Sequence, residues 1–465
     1  MADNTFDLVI IGSGPGGYVA AIRAAQLGMK TACVEAGALG GVCNNVGCIP
    51  TKAMLESALH ARRVKELSEF GVTVGDVQLD IGVAARRSQK VADQGARGIA
   101  YLFKKNGVEH VKGWGRLAGG GKVLVAGEGG ERTLSAKNII VATGSRAKSL
   151  PFLKIDRDRV WSSDEAVFPK ALPASLAIIG SGAVGMEFAD VYQSFGTRVT
   201  VIEALERVLP VEDRDVSAVV EKSYRKRGID VFTSARLEKA DVGQDGVRLT
   251  MKVKDGKDQT VEAERVLVAV GRAPIIDDIG LEEAGVRVER GFITVDEHLR
   301  TNVPGVFAIG DVIGPPMLAH KASHEGIVAV EKIAGYEHAK VDYNNIPGVT
   351  YCHPEVASVG LTEEAARAKG LDIEAGTFPW SANGRARTAG ETEGFIKVIR
   401  DKRYGELLGA HIVGPQASEL IAEFVVGRHL ETTVEEMASA VHPHPTLSDA
   451  VPEAALAALG RAIHI

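Results

Sequence analysis

The sequence is short of cysteine, of proline and of basic surplus, and each shortage excludes a class of protein. Four cysteines in 465 residues (Cys33, Cys43, Cys48, Cys352) cannot form a disulfide scaffold, so any close pair among them is better suited to catalysis than to stapling. Seventeen prolines beside 53 glycines exclude collagen and Pro/Gly low-complexity chains. Lysine and arginine number 54 against 60 acids, a net charge of −6, which leaves no basic excess for phosphate contacts and argues against a nucleic-acid binder. No run approaches the ~18 apolar residues of a membrane span. Met1–Asp7 has neither the basic start nor the apolar core of a signal peptide, so the expected location is cytoplasmic, with no membrane partner.

What is abundant is glycine, about 11% of the chain against an average near 7%. With 45% apolar residues the chain can bury several cores, and its length suggests three or four domains at roughly 100–200 residues each. The glycines fall in patterns. Phe6–Ile11 reads as a strand, Gly12-Ser-Gly14-Pro-Gly-Gly17 as a tight turn, Tyr18–Leu27 as a helix, and Lys30–Glu35 as a second strand ending on an acid. This is the full context of a dinucleotide-binding unit. Gly12 permits the turn, Gly14 lets a pyrophosphate approach the backbone, Gly17 lets helix pack on strand, and Glu35 accepts from a ribose diol.

The unit recurs as Leu176-Ala-Ile-Ile-Gly180-Ser-Gly182-Ala-Val-Gly185, followed by a strand ending at Glu203. Gly180 − Gly12 and Glu203 − Glu35 are both 168, so two dinucleotide sites are expected. Each unit is followed by a Gly-rich alternating stretch, Gly113–Thr133 (containing Gly115) and Leu237–Val261, read as hairpin strands. Each then closes on a buried strand with a glycine turn, Asn138–Gly144 (including Thr143) and Arg265–Gly271, so a whole domain is duplicated. A further element, Gly305–Val312 with Asp311, is expected to return the chain to the first domain and offer a carboxylate to a sugar-like hydroxyl chain. From about Ile346 the pattern changes to an α+β domain without such motifs.

An acid at the second strand end prefers an unphosphorylated ribose, so the second site is expected to take NAD rather than NADP; Arg207 is the only nearby base. Something must pass electrons between a nicotinamide and a cysteine pair, and a flavin fits that gap. The candidate pair is Cys43-Asn-Asn-Val-Gly-Cys48, followed by Lys52 and a helical stretch from there to about Ser68. Five residues apart on a regular helix the side chains would diverge by about 140°, so a distortion is expected, with Gly47 supplying it. A helix N-terminus and Lys52 are expected to favour thiolate. No further ligands at metal spacing lie nearby, and Cys33 and Cys352 read as small core or interface residues. Dithiol chemistry needs a base near neutral pH, and His442-Pro-His444-Pro-Thr-Leu-Ser-Asp449 offers one with a carboxylate five residues on. On these residues alone, a capped helix start carrying surface histidines remains an equal reading.

The segments Gly40–Lys52, His353-Pro-Glu-Val-Ala-Ser-Val-Gly360 and His444-Pro-Thr-Leu together resemble the pyridine nucleotide-disulfide oxidoreductases, in particular the branch acting on lipoyl dithiols, and the resemblance runs from about Phe6 to Leu459. It implies an α/β fold of two Rossmann-like domains plus a C-terminal α+β dimerisation domain: FAD-binding 1–147, NAD-binding 148–272, central 273–345 completing the FAD site, and interface 346–465. It implies that Cys43 exchanges with substrate, that Cys48 faces the flavin, and that His444 is the base, reaching the cysteines of a second subunit in an obligate homodimer. It further implies Lys52 near the flavin and paired with Glu187 beside the nicotinamide. Asp311 with Met317, Leu318, Ala319 and His320 would line the flavin, Gly115, Thr143, Gly144 and Gly271 would join the cofactor-contacting set, and the His444–Pro445 bond would be cis. The implied partner is a lipoyl-bearing acyltransferase of a 2-oxoacid dehydrogenase complex or a glycine-cleavage carrier protein. The family has Glu where this chain has Asp449, so either the backbone moves in or the hydrogen bond to His444 lengthens. Glutathione- or mercuric-reductase-like activity, or a non-catalytic flavoprotein subunit, are the alternatives; Glu203 and the lack of a C-terminal cysteine pair weigh against the former, and joint retention of Cys43, Cys48 and His444 against the latter.

Overall fold

The apolar run near the N-terminus forms β1 (Thr5–Ile11), whose residues from Leu8 to Ile11 are buried on both faces, as a central parallel strand requires. In this computed structural model, which describes residues 4–337 and 340–465, β1 leads through the glycine turn into α1 (Pro15–Gln26) and β2 (Thr31–Glu35). The redox segment follows as α2 (Gly41–Asn45) and α3 (Cys48–Arg63), and a long amphipathic α4 (Ile81–Asn106) precedes β3 (Glu109–Lys112), β4 (Trp114–Leu117), β5 (Lys122–Gly127) and β6 (Gly130–Val141). The helix carrying Lys52 therefore begins four residues earlier than the sequence suggests. Pro50 lies in its first turn, where no intrahelical N–H bond is needed.

The chain divides into two compact units, Met1–Met54 with Val83–Lys148 and Arg272–Val341, and Leu55–Gly82 with Ser149–Gly271 and Asp342–Ile465. In the first unit the parallel strands run β3, β2, β1, β6 and then Val306–Ala308, whose register pairs Val306 with Ile139. The element around Asp311 thus returns to the first sheet, as its sequence indicates. In the second unit the parallel order is Asp230–Phe232, Arg198–Ile202, Ser175–Ile179, Arg265–Val268, Val160–Trp161. The two orders match, with one difference: the fifth strand comes from later in the chain in one sheet and from earlier in the other. A second difference lies in the hairpins. β6 is one continuous strand that pairs β5 antiparallel along its first half and β1 parallel, whereas its counterpart is divided into Asp258–Ala263 and Arg265–Val268, leaving a separate three-stranded sheet.

The last part of the second unit is a five-stranded antiparallel sheet ordered Gly348–Thr350, Glu355–Gly360, Leu407–Gly414, Phe395–Asp401, Ile373–Pro379. Leu407–Gly414 is buried at all its positions. Helices Ala417–His429 and Ala450–Ala458 contribute Ile421, Phe424, Val451 and Ala454 to the core over this sheet. Among the described residues, no helix is long and apolar enough to cross a membrane.

Candidate active site

The two glycine turns are built alike. Gly12 has φ +103°, and a Cβ there would sit 2.3 Å from the Ala142 carbonyl oxygen; Gly180 has φ +100°, and its Cβ would sit 2.5 Å from that of Ala269. Gly17 and Gly185 let the helix close on the turn, since a Cβ would meet the Gly12 or Gly180 oxygen at 1.9 or 2.0 Å. Beside Gly14 and Gly182 there is open space, and each caps its helix without a side-chain hydrogen bond, so both N-termini can receive an anion. The acids are aligned by a residue that glycine spacing does not single out. Glu35 Oε2 accepts from Ser13 N (2.9 Å) and Oγ (2.7 Å), and Oε1 from Gly37 N (2.7 Å). Glu203 repeats this with Ser181 N (2.8 Å), Ser181 Oγ (2.7 Å) and Leu205 N (2.8 Å). A carboxylate with about four acceptor positions, three of them used, retains room for a ribose hydroxyl. The nearby base Arg207 is gripped by both oxygens of Glu364, at 3.2 and 2.7 Å.

The redox segment is fixed directly on the first glycine turn. Gly40 N donates to Ser13 O at 3.1 Å, and Gly41 lies so near Gly14 that a Cβ would be 2.8 Å from its Cα. From the other side Asn44 Nδ2 donates to Ala92 O at 3.0 Å, and Gly95 leaves room for that amide. Helix geometry breaks at Val46 (φ −140°), so Cys43 belongs to α2 and Cys48 opens α3. The expected distortion is present, and the two sulfurs hydrogen-bond. The Cys43 thiol is pushed up, first by its hydrogen bond to Cys48 and then by burial, while Lys52 pulls it down. Cys33 and Cys352 are buried, with thiols pushed up chiefly by burial.

Asp311 lies in the short 3-10 turn after Val306–Ala308; it accepts a short hydrogen bond from Ser145 Oγ, which in turn accepts from Arg272 Nε at 2.6 Å. Met317, Leu318, Ala319 and His320 form the start of the next helix, with Leu318 as its N-cap and His320 exposed. Beneath that turn the buried pair Lys321–Glu325 (3.3 Å) ties Gly310 N and Gly314 O to the helix. Thr143 Oγ1 donates to Ile275 O (2.6 Å), while Gly144 and Gly271 have φ +74° and +104°. Gly115 packs closely on β1 and β2, where a Cβ would be 3.1 Å from Ile11 and 3.0 Å from Val34. In the second unit Glu187 is buried and accepts from Tyr351 N at 3.0 Å. His444 Nδ1 is 2.8 Å from Asp449 Oδ2, and the His444–Pro445 bond is cis. Burial would raise Asp449, but hydrogen bonds from Thr446 and His444 outweigh it and hold the carboxyl below its usual value. Ser13, Ser181, Ser145, Arg272 and Asn44 escaped the sequence reading; only the two serines, 168 apart, carried a signal that could have revealed them.

Paired glycine cradles, oriented acids and a dithiol fixed on one cradle fit two dinucleotides, one of them flavin-bearing, and define a disulfide oxidoreductase. Residues 6–326 match the model of the pyridine nucleotide-disulphide oxidoreductase family and residues 346–455 that of its dimerisation domain, and the chain belongs to this family. It is 46% identical to the dihydrolipoyl dehydrogenase of Rhizobium etli, covering 99% of each chain, and 47% identical to that of Zymomonas mobilis, covering 100% of each. Among solved structures, LpdA of Mycobacterium tuberculosis superposes with a TM-score of 0.89 at 29% identity, over 96% of this chain and 98% of that one.

Proposed function

We propose that the chain oxidises protein-bound dihydrolipoyl groups to the cyclic disulfide with NAD+ as acceptor. The observation that carries this is the Cys43–Cys48 pair seated on the Gly12–Gly17 turn, in a chain whose full-length relatives are dihydrolipoyl dehydrogenases. Two electrons and two protons leave the substrate dithiol; NAD+ takes the electrons with one proton as hydride, and the other proton is released. FAD, bound at Glu35 and the first cradle, supplies the two-electron chemistry linking thiols to nicotinamide. Cys43 exchanges with the substrate, and Cys48 holds the negative charge at the start of α3. Lys52 stabilises that charge. His444, its Nδ1 held by Asp449, takes the substrate proton at Nε2 and is supplied by a second copy of the chain.

The four-part division belongs to this proposal: 1–147 with 273–345 for FAD, 148–272 for NAD and 346–465 for pairing, supported by the grouping of 272–341 with the first sheet. The partner is a lipoyl-bearing acyltransferase or glycine-cleavage carrier, and the setting the cytoplasm. An anaerobic titration followed in the visible tests the whole. Dihydrolipoamide is expected to produce long-wavelength absorbance that NAD+, and not NADP+, reverses; failure to bind flavin on reconstitution overturns the reading.

A further inference from the structure

The segment bearing His444 belongs to no helix or strand: Val434–Ser439 ends before it and Ala450–Ala458 begins after it. Among the described residues, 441–446 make no backbone–backbone hydrogen bond. The segment is therefore held by side chains. Downstream of His444 the tethers are Asp449 to Thr446 N (3.2 Å) and Asn383 Nδ2 to Thr446 O (3.0 Å). Upstream, Val441 is 99% exposed and the tether is His442. Its Nδ1 lies 2.9 Å from Ala440 O and its Nε2 2.7 Å from Glu423 Oε1, on helix Ala417–His429. A carbonyl oxygen only accepts, so Nδ1 carries a hydrogen, and Nε2 and the Glu423 carboxyl share a second one. The His442 side chain is 11% exposed where that of His444 is 78% exposed, so the two histidines divide the work: one anchors, the other is presented.

We propose that Glu423 and His442 are a positioning pair for the base, fixing the upstream end of its segment as Asp449 fixes the imidazole itself. The inference rests on the reading of His444 as base. Without the pair, residues 440–443 lose their link to the helix, and the ring spends less time where it can take a proton from a bound dithiol.

The test compares the flavin-loaded wild type with Glu423→Ala, Glu423→Gln, His442→Ala and His442→Gln. Two reactions are followed: dihydrolipoamide oxidation by NAD+, which needs the base, and NADH-driven reduction of ferricyanide, which draws electrons without dithiol deprotonation. We expect the alanine variants to lose tenfold or more in kcat for dihydrolipoamide with KM changed less than threefold. Ferricyanide reduction should stay within twofold of wild type. His442→Gln, whose amide can still donate to Glu423, should recover part of the loss. Unchanged dihydrolipoamide turnover in Glu423→Ala overturns the proposal, and so does a parallel loss in both reactions, which marks a merely structural contact. A wild type that reduces ferricyanide but never turns over dihydrolipoamide refutes the functional reading instead.

Discussion

Asp449 reaches Nδ1 of His444 at 2.8 Å although its side chain is one methylene shorter than the glutamate of the family pattern. The contact is not lengthened; the turn brings the carboxylate in, with Thr446 Oγ1 2.7 Å from Oδ1 and Thr446 N 3.2 Å from Oδ2. Three such bonds, from His444 Nδ1, Thr446 N and Thr446 Oγ1, hold the carboxyl below its usual value despite burial.

Asp449→Asn keeps the shape but removes the charge that supports a protonated His444. Dihydrolipoamide turnover is expected to fall about tenfold or more, the change produced by ~1.4 kcal/mol of lost transition-state stabilisation. Stopped-flow or steady-state kcat across pH checks this. Unchanged turnover and an unchanged profile would remove Asp449 from the mechanism.

The matched cradles allow the two cofactors to be separated. In Gly12→Ala a methyl collides with Ala142 O at a φ of +103°, and in Gly180→Ala the same happens at Ala269 O with φ +100°. Strain of about 1–3 kcal/mol falls on one turn in each case. The first variant should purify with little flavin; the second should keep its visible spectrum while its KM for NAD+ rises. Equal flavin content in both would contradict the assignment of the two sites.

Glu203 accepts from Ser181 and Leu205 and faces the second cradle, while Arg207 is held by Glu364. Glu203→Ser should therefore weaken NAD+ by roughly tenfold, the value of a lost charged hydrogen bond, and narrow the preference over NADP+. The ratio of kcat/KM for the two nucleotides measures it. A preference left intact would place discrimination elsewhere.

Stability should fall on mild acidification. Burial, helped by Arg62, pushes His353 from 6.5 down to about 4, so the unfolded chain takes up a proton there before the folded one does. Stability is then lost as pH drops from 6.5 towards 4, and buried His411, also lowered by burial, acts in the same direction. His353→Gln should flatten the melting-temperature profile within that window. A slope equal to wild type would show that His353 does not contribute.

Much of the site could be read along the chain because its signals are local. Gly12 to Glu35 and Gly180 to Glu203 are each contained in one βαβ unit, and the interval of 168 exposes the duplication. Cys43 and Cys48 stand out by rarity and closeness. Contacts such as Ser145 to Arg272, Asn44 to Ala92 and His442 to Glu423 join residues distant or unremarkable in sequence, and no pattern of composition marks them.

Two dinucleotide cradles and a close cysteine pair are legible along the chain, since each needs particular residue types at short, fixed spacing, whereas the residues from His442 to Asp449 read equally well as a capped helix start. How those groups are poised follows from the folded chain. That the Cys43 thiol is pushed up by Cys48 and by burial, that a shortened Asp449 still meets His444, and that side chains hold the segment carrying His444 all depend on burial and on hydrogen bonds between distant segments, which folding supplies and spacing does not encode.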